Sequence, residues 1–450
     1  MREGSERLRR QVVAALALAC LVQPDTGRPL GAAVHMPPPA SSTTSAVSSA
    51  RALQPGAVAT AVRIADERDN PQCRDGTFRG DVSLDDTNLA QLYGCTQVIG
   101  DVRIDVSGQR DVSGLKALRS VTGSLEIVAS AGPEGTSLES LRGLDALREI
   151  SGDLTLGPRH GTGSLLSLSG LQSLRSVRAL RVQHLIELND LHGLGALTQA
   201  ERVEIVGCNA LEDLSGFDAL REIRGRLYIA QNSALLSLSG LPRLQVLDEL
   251  VLDENARLKS LQGLSRQVDR LTALTIEHNA SLESLAGAEA LSHVHSIFVS
   301  ANARLAGLAY FENLRSLQTL EIADNPHLSD LRAFPALAGS DQLDLTLRNN
   351  PRLNNLRGLE RISQAFNVTI SGNSALFDLT GFQMERVHNL ITVSNNTSLS
   401  TLRGLERLRE VAWLRIQANP RLANLDALAG LRGSDLHIEL YNNLALATPP

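Results

Sequence analysis

Residues 227–241 read Leu227-Tyr228-Ile229-Ala230-Gln231-Asn232-Ser233-Ala234-Leu235-Leu236-Ser237-Leu238-Ser239-Gly240-Leu241. Residues 414–428 repeat the scheme as Leu414-Arg415-Ile416-Gln417-Ala418-Asn419-Pro420-Arg421-Leu422-Ala423-Asn424-Leu425-Asp426-Ala427-Leu428. The shared pattern is L-x-I-x-x-N-x-x-L-x-x-L-x-G-L, and its asparagine recurs at Asn209, Asn232, Asn255, Asn279, Asn302, Asn325, Asn350, Asn373, Asn396, Asn419 and Asn443, at intervals of 23 to 25 residues. The L-x-I pair alternates with period two, which makes a short strand with both aliphatics turned inward. Leucines spaced by three fit tight turns or 3₁₀-like segments lining the same core. The Gly of L-x-G-L (Gly143, Gly170, Gly193, Gly216, Gly240, Gly263, Gly358, Gly404) permits a bend with positive φ. An Asn amide at the strand exit can donate to and accept from neighbouring coils, satisfying backbone groups that a buried turn would orphan. One coil cannot bury its own apolar face, so stability accrues between neighbours.

The pattern therefore predicts a repeat solenoid: a right-handed, leucine-rich-repeat-like or β-helix-like coil of about 14 turns of ~23 residues sharing one parallel β-sheet. At roughly 4.8 Å per strand the stack is about 65 Å long. Upstream the register loosens. Val203-Glu204-Ile205 carries one extra residue before Asn209, and Leu185 takes the ladder position one coil earlier. Leu154-Thr155-Leu156 and Leu125-Glu126-Ile127 are strands followed by the longer Gly-containing loops 157–164 and 128–137.

Composition agrees. Of 450 residues, 43% are hydrophobic and 20% charged, and 43 basic against 49 acidic side chains leave a net charge of −6, which argues against nucleic acid as a partner. Aromatics are 3% of the chain, too few for rows of base-stacking platforms. Residues 1–22 read as an export signal, with Arg2, Arg7, Arg9 and Arg10 before the apolar run 12–22, which is too short to span a bilayer. Cys20 after Ala17-Leu18-Ala19 is a candidate for lipidation, and Ala32 or Ala33 marks a competing cleavage point. Residues 23–66 form a Pro/Ser/Thr-rich tether, 67–108 an N-terminal capping coil, 109–443 the solenoid and 444–450 a tail.

Cys73-x-x-Gly76-Thr77-Phe78-x-Gly80-Asp81-Val82-x-Leu84 leads to Leu92-Tyr93-Gly94-Cys95-Thr96-x-Val98-Ile99-Gly100-Asp101-Val102-x-Ile104. This section resembles the opening of the receptor L domain, the leucine-rich-repeat-like solenoid of receptor ectodomains and of bacterial and fungal surface proteins. The V-x-G-x-L-x-I motif of that family matches again at Val121–Ile127, and as variants at Ile150–Leu156 and Ile223–Ile229. The resemblance implies a disulfide between Cys73 and Cys95 and a cell-surface setting. It extends over residues 73–443, more than twice the usual L-domain length, and it implies no receptor signalling, since no Cys-rich module or kinase accompanies it. Cys208 reads as a small buried residue.

The chain contains no nucleophile elbow, HExxH, P-loop or dinucleotide fingerprint. His293 and His295 share a strand face without a third ligand, His160 reads as exposed, and the carboxylates are scattered, so no catalytic residue, metal site or cofactor is expected. What remains is the outward strand row. There Tyr228, Val251 and Phe298, with Thr275 between the last two, place bulky groups on one sheet face as candidate ligand contacts. The sequons at Asn279 and Asn396 fall on ladder positions, leaving Asn367. The last coil, with strand residues Ile438 and Leu440, is a candidate for self-association. The expectation is a non-catalytic, exported binding or adhesion module recognising a protein or glycan, membrane-associated only through a lipid anchor. Its alternatives are a structural envelope component and, without the signal, an intracellular protein-binding repeat.

Overall fold

The computed structural model describes residues 70–129, 138–339, 341–433 and 436–446. The export segment, the tether, Cys20 and residues 447–450 of the tail lie outside them. The described chain winds into a parallel β-solenoid with no α-helix. Its strands pair in parallel from Val82–Leu84 through to His437–Tyr441, each with the next coil. No helix among the described residues is long and apolar enough to cross a membrane.

The periodic leucines make the interior. In the coil that starts at Leu227, the side chains of Leu227, Ile229, Leu235, Leu238, Leu241 and Leu244 are all 0% exposed. Burying each one contributes about 1.5–3 kcal/mol of transfer free energy, which the ordering of the chain largely offsets. The three-residue spacing closes turns through i→i+3 backbone bonds, such as Leu235 N–H to the Asn232 carbonyl at 3.1 Å and Leu244 N–H to the Leu241 carbonyl at 3.3 Å. Rings enter this core at four fully buried phenylalanines, and Phe311 stacks on Phe334 at 5.8 Å. Gly240 shows why L-x-G-L needs glycine: its φ is 118°, and a Cβ there would overlap the Leu214 carbonyl of the coil before. Of the eight glycines in this motif, Gly193 alone lacks the positive φ, yet it too abuts backbone, at Leu168.

The ladder is present and has a direction. Each Asn side chain serves the preceding coil. Its Oδ1 accepts that coil's ladder N–H (Asn279 to Asn302 at 3.1 Å, Asn302 to Asn325 at 3.0 Å), and its Nδ2 donates to that coil's strand carbonyl (Asn302 to Ile276 at 2.9 Å). Asn232 through Asn419 are 0% exposed, and Asn443 ends the row half-buried, bonded to Ile416 at 2.8 Å. Asn209 is a correction, because it is exposed and its Oδ1 accepts from Ser233 instead. Counting three residues on from Ile205, as from Ile229 to Asn232, reaches Cys208, so the coil has no extra residue. Cys208 is 0% exposed, and its own amide donates to Asn232 Oδ1 at 2.9 Å. Its thiol accepts the Leu185 amide and approaches the Val182 carbonyl at 3.9 Å, as an amide side chain would do there.

One residue before each rung the backbone turns left-handed. Gln231, Glu254, His278, Ala301, Asp324, Asn349, Asn395, Ala418 and Asn442 all have φ between 53° and 58°. Such a conformation costs about 1–2 kcal/mol for a residue with a Cβ, and bonds on either side of the bend offset it. Ala301 N–H, for example, donates to the Ala323 carbonyl at 3.1 Å.

At the N-terminal end each coil carries two short strands, such as Gln97–Ile99 and Val102–Ile104, separated by a Gly-Asp step. From Glu149–Leu156 onward they merge in most coils, with register shifts marking where the step had been, although Gln199–Ala200 and Arg202–Val206 are still two strands. The Gly-Asp steps build a second polar row of opposite direction. Asp81 Oδ1 accepts the Asp101 amide at 2.8 Å, Asp101 Oδ1 the Ser124 amide at 2.7 Å, and Ser124 Oγ the Asp153 amide at 3.2 Å. Cys73 and Cys95 are joined by a disulfide, their Cα atoms 5.3 Å apart, which lies within the normal range.

Candidate functional site

The outward residues of the strands form one continuous file. Register carries it from Glu126 through Thr155, Arg181 and Glu204 to Tyr228, Val251, Thr275 and Phe298, and on through Glu321 and Thr346 to Thr369, Thr392, Arg415 and Glu439. The three candidate contacts are therefore brought together: Tyr228 is opposite Val251, and Thr275 lies between Val251 and Phe298. All four are half-buried, because neighbouring outward side chains about 4.8 Å away pack against them.

Charge divides the file. On the N-terminal side carboxylates and guanidinium groups pair across strands: Arg103 with Glu126 at 2.7 Å, Arg178 with Asp153 at 2.7 Å, Arg181 with Glu204 at 2.6 Å and Arg226 with Glu249 at 2.9 Å. Hydrogen bonding to Glu126 and Glu204 raises the pKa of Arg103 and Arg181 respectively. On the C-terminal side Arg348 lies 3.5 Å from Glu321, and Arg415 lies 2.6 Å from Glu439. The uncharged stretch Tyr228–Phe298 sits between these two paired regions. Burial first, and then the charges of Asp253 and Glu254, push the Tyr228 hydroxyl pKa up, so it stays a neutral donor and acceptor.

Other features fall elsewhere. His293 and His295 line a shallow groove of about 590 Å³ beside the sheet face, with Asp248, Asp269 and Arg270. The His293 ring contacts Ser292 Oγ at 2.8 Å. His160 is exposed, and Asn279 and Asn396 are fully buried in the ladder. Asn367 is half-buried and bonded to Asp344 at 2.7 Å and Asn389 at 2.9 Å. Sequence reasoning missed the more exposed rings: Phe366 (41%), Phe377 (58%), Trp413 (40%) and Tyr441 (41%) are open to solvent, and Trp413 stacks on His437 at 4.3 Å. Trp413 lies in the strand column next to the file, a position that registering the coils would have revealed. Cys208 is no reactive thiol, because burial pushes its pKa up to about 12.

No family model matches the chain, and no curated protein matches it. Among solved structures the chain is similar to a TLR13–ssRNA13 complex, at 15% identity over 80% of this chain and 73% of that one, with a TM-score of 0.20. At that score the likeness carries no argument about shape or ligand, and the fold rests on the geometry above.

Proposed function

We propose that the chain is an exported, non-catalytic binding or adhesion module that recognises a protein or glycan through the outward face of its sheet. The observation that carries this reading is the uncharged, in-register stretch Tyr228–Val251–Thr275–Phe298 set between ion-paired flanks. These four side chains carry no charge of their own to desolvate when a partner covers them, and the paired flanks supply a polar rim. The Cys73–Cys95 disulfide is compatible with an oxidising compartment, and the likeness of the N-terminal section to receptor L domains supports a surface setting. Self-association belongs to the same reading. Among the described residues His437–Tyr441 pairs with Glu410–Gln417 and with no second strand, leaving an edge. Light scattering across concentration tests that part, and a strict monomer would argue against it.

Pull-downs and glycan arrays with the full chain test the binding reading. A saturable partner is expected, lost on Phe298→Asp and retained on Thr392→Asp, whose position lies on the same file but outside the stretch. Equal binding by both variants would move the site off this stretch, and absence of any saturable partner would overturn the reading.

A further inference from the structure

We propose that Asp253, Glu277 and His278 form a binding site for a divalent transition-metal ion of the Zn²⁺ type, at the edge of the sheet face. One ligand atom from each of the three side chains lies within 4.8 Å of the other two. His278 Nδ1 stands 3.0 Å from Asp253 Oδ1. Asp253 ends one strand and Glu277 the next, and the two are direct cross-strand partners. Like charges placed directly opposite one another in a sheet repel, so a cation bound between them would relieve the pairing.

Most carboxylates on the rest of the face are neutralised, Asp344, which is bonded to Asn367 at 2.7 Å, being an exception. Glu126, Asp153, Glu204, Glu249, Glu321 and Glu439 each have a guanidinium within 3.5 Å. At the cluster the partners are neutral: Glu277 accepts from Ser300 Oγ at 3.1 Å, and the adjacent Glu254 accepts from Gln231 Nε2 at 2.8 Å. Even a protonated His278 would balance only one of the three carboxylates. One imidazole nitrogen with two carboxylate oxygens suits a borderline ion such as Zn²⁺, which binds such donors at about 2.0–2.2 Å. Ca²⁺ prefers six to eight oxygens and would find too few here. The side chains need only rotamer adjustments to close on the ion, because His278 is 57% exposed and Asp253 29% exposed at the side chain. A fourth position is left for water or for a donor carried by a partner. The site lies next to Val251 and Thr275 in sequence register, so a bound ion would adjoin the proposed contact stretch.

Isothermal titration of the full chain with Zn²⁺ alone tests this, so its outcome is separate from whether any partner binds. One equivalent of Zn²⁺ is expected. Asp253→Asn with Glu277→Gln, and separately His278→Gln, should weaken binding at least tenfold, while Glu321→Gln should leave it unchanged. All these positions are at the surface, and thermal unfolding without metal checks that the variants fold. Co²⁺ in place of Zn²⁺ should give a visible absorption band in the wild type that His278→Gln loses. Absence of a stoichiometric site, unchanged binding in the double variant, or displacement of Zn²⁺ by an equal concentration of Ca²⁺ would overturn the proposal.

Discussion

Replacing Asn302 by alanine removes three hydrogen bonds to backbone groups, besides its bonds to the Asn279 and Asn325 side chains, from the middle of the ladder at a site with 0% exposure. Oδ1 accepts the Asn279 amide at 3.1 Å, and Nδ2 donates to the carbonyls of Ile276 and Ser300, both at 2.9 Å. The buried Asn279 amide would be left without its acceptor, at a cost of about 1–3 kcal/mol, and each carbonyl would lose a bond worth about 0.5–1.5 kcal/mol. The sum is about 2–6 kcal/mol. Asn209→Ala is the internal control: its side chain is exposed, so the same change should cost no more than about 0.5 kcal/mol. Urea unfolding followed by circular dichroism measures both. A shifted midpoint with unchanged slope means that the solenoid unfolds as one unit, whereas a reduced slope means that coils on one side of the break open first. The ladder's direction makes a second readout available. Hydrogen exchange should speed up at the Asn279 amide, which Asn302 serves, and not at the Asn325 amide, which Asn350 serves at 3.1 Å. Equal and small losses for Asn302→Ala and Asn209→Ala, or deprotection on the C-terminal side, would refute the reasoning.

The Cys208 thiol has a folded pKa of about 12, above its ordinary 9.0 because of burial, so the unfolded chain gives up this proton first. Its contribution is therefore complete below pH 9 and is lost as pH rises towards 12, by at most about 1.4 kcal/mol per pH unit; urea titrations at rising pH should show this slope in wild type and not in Cys208→Ala. Gly240→Ala should destabilise by more than Gly161→Ala, since a Cβ at Gly240 overlaps the Leu214 carbonyl while Gly161 has open space; comparing the two urea midpoints checks it. Ala301→Gly should be neutral or stabilising, because glycine removes a left-handed cost of about 1–2 kcal/mol, whereas Ala273→Gly within a strand should lose about 0.5–1 kcal/mol; thermal melts distinguish these signs. Arg181→Gln should cost less than about 1 kcal/mol, with the difference fading in 1 M salt, since the pair with Glu204 is partly exposed; denaturation at two salt concentrations tests it.

The parts of the fold legible in the sequence are those where burial narrows the choice of side chain. Leu227, Ile229 and Leu235 face the interior, so only aliphatics serve, and they recur in phase. The rungs follow the same logic, but the requirement there is for hydrogen-bonding groups and not for the letter N. Cys208 fills a rung with a thiol, and a neighbouring Asn209 drew the count one residue out of phase, although spacing from Ile205 would have resolved it. The left-handed column was illegible for the opposite reason. Gln231, Glu254, His278 and Ala301 point their variation into solvent, and the conformation is imposed by bonds on either side rather than by the residue's own preference. The metal cluster lies between these cases. Asp253 and Glu277 occupy the same repeat position one coil apart, so a sequence laid out coil upon coil already sets two carboxylates side by side. What linear reading cannot supply is which of its neighbours carry guanidinium groups close enough to cancel that charge. It is this missing neutralisation, and not the acidic residues by themselves, that sets the edge at Asp253 apart from the paired carboxylates along the rest of the file.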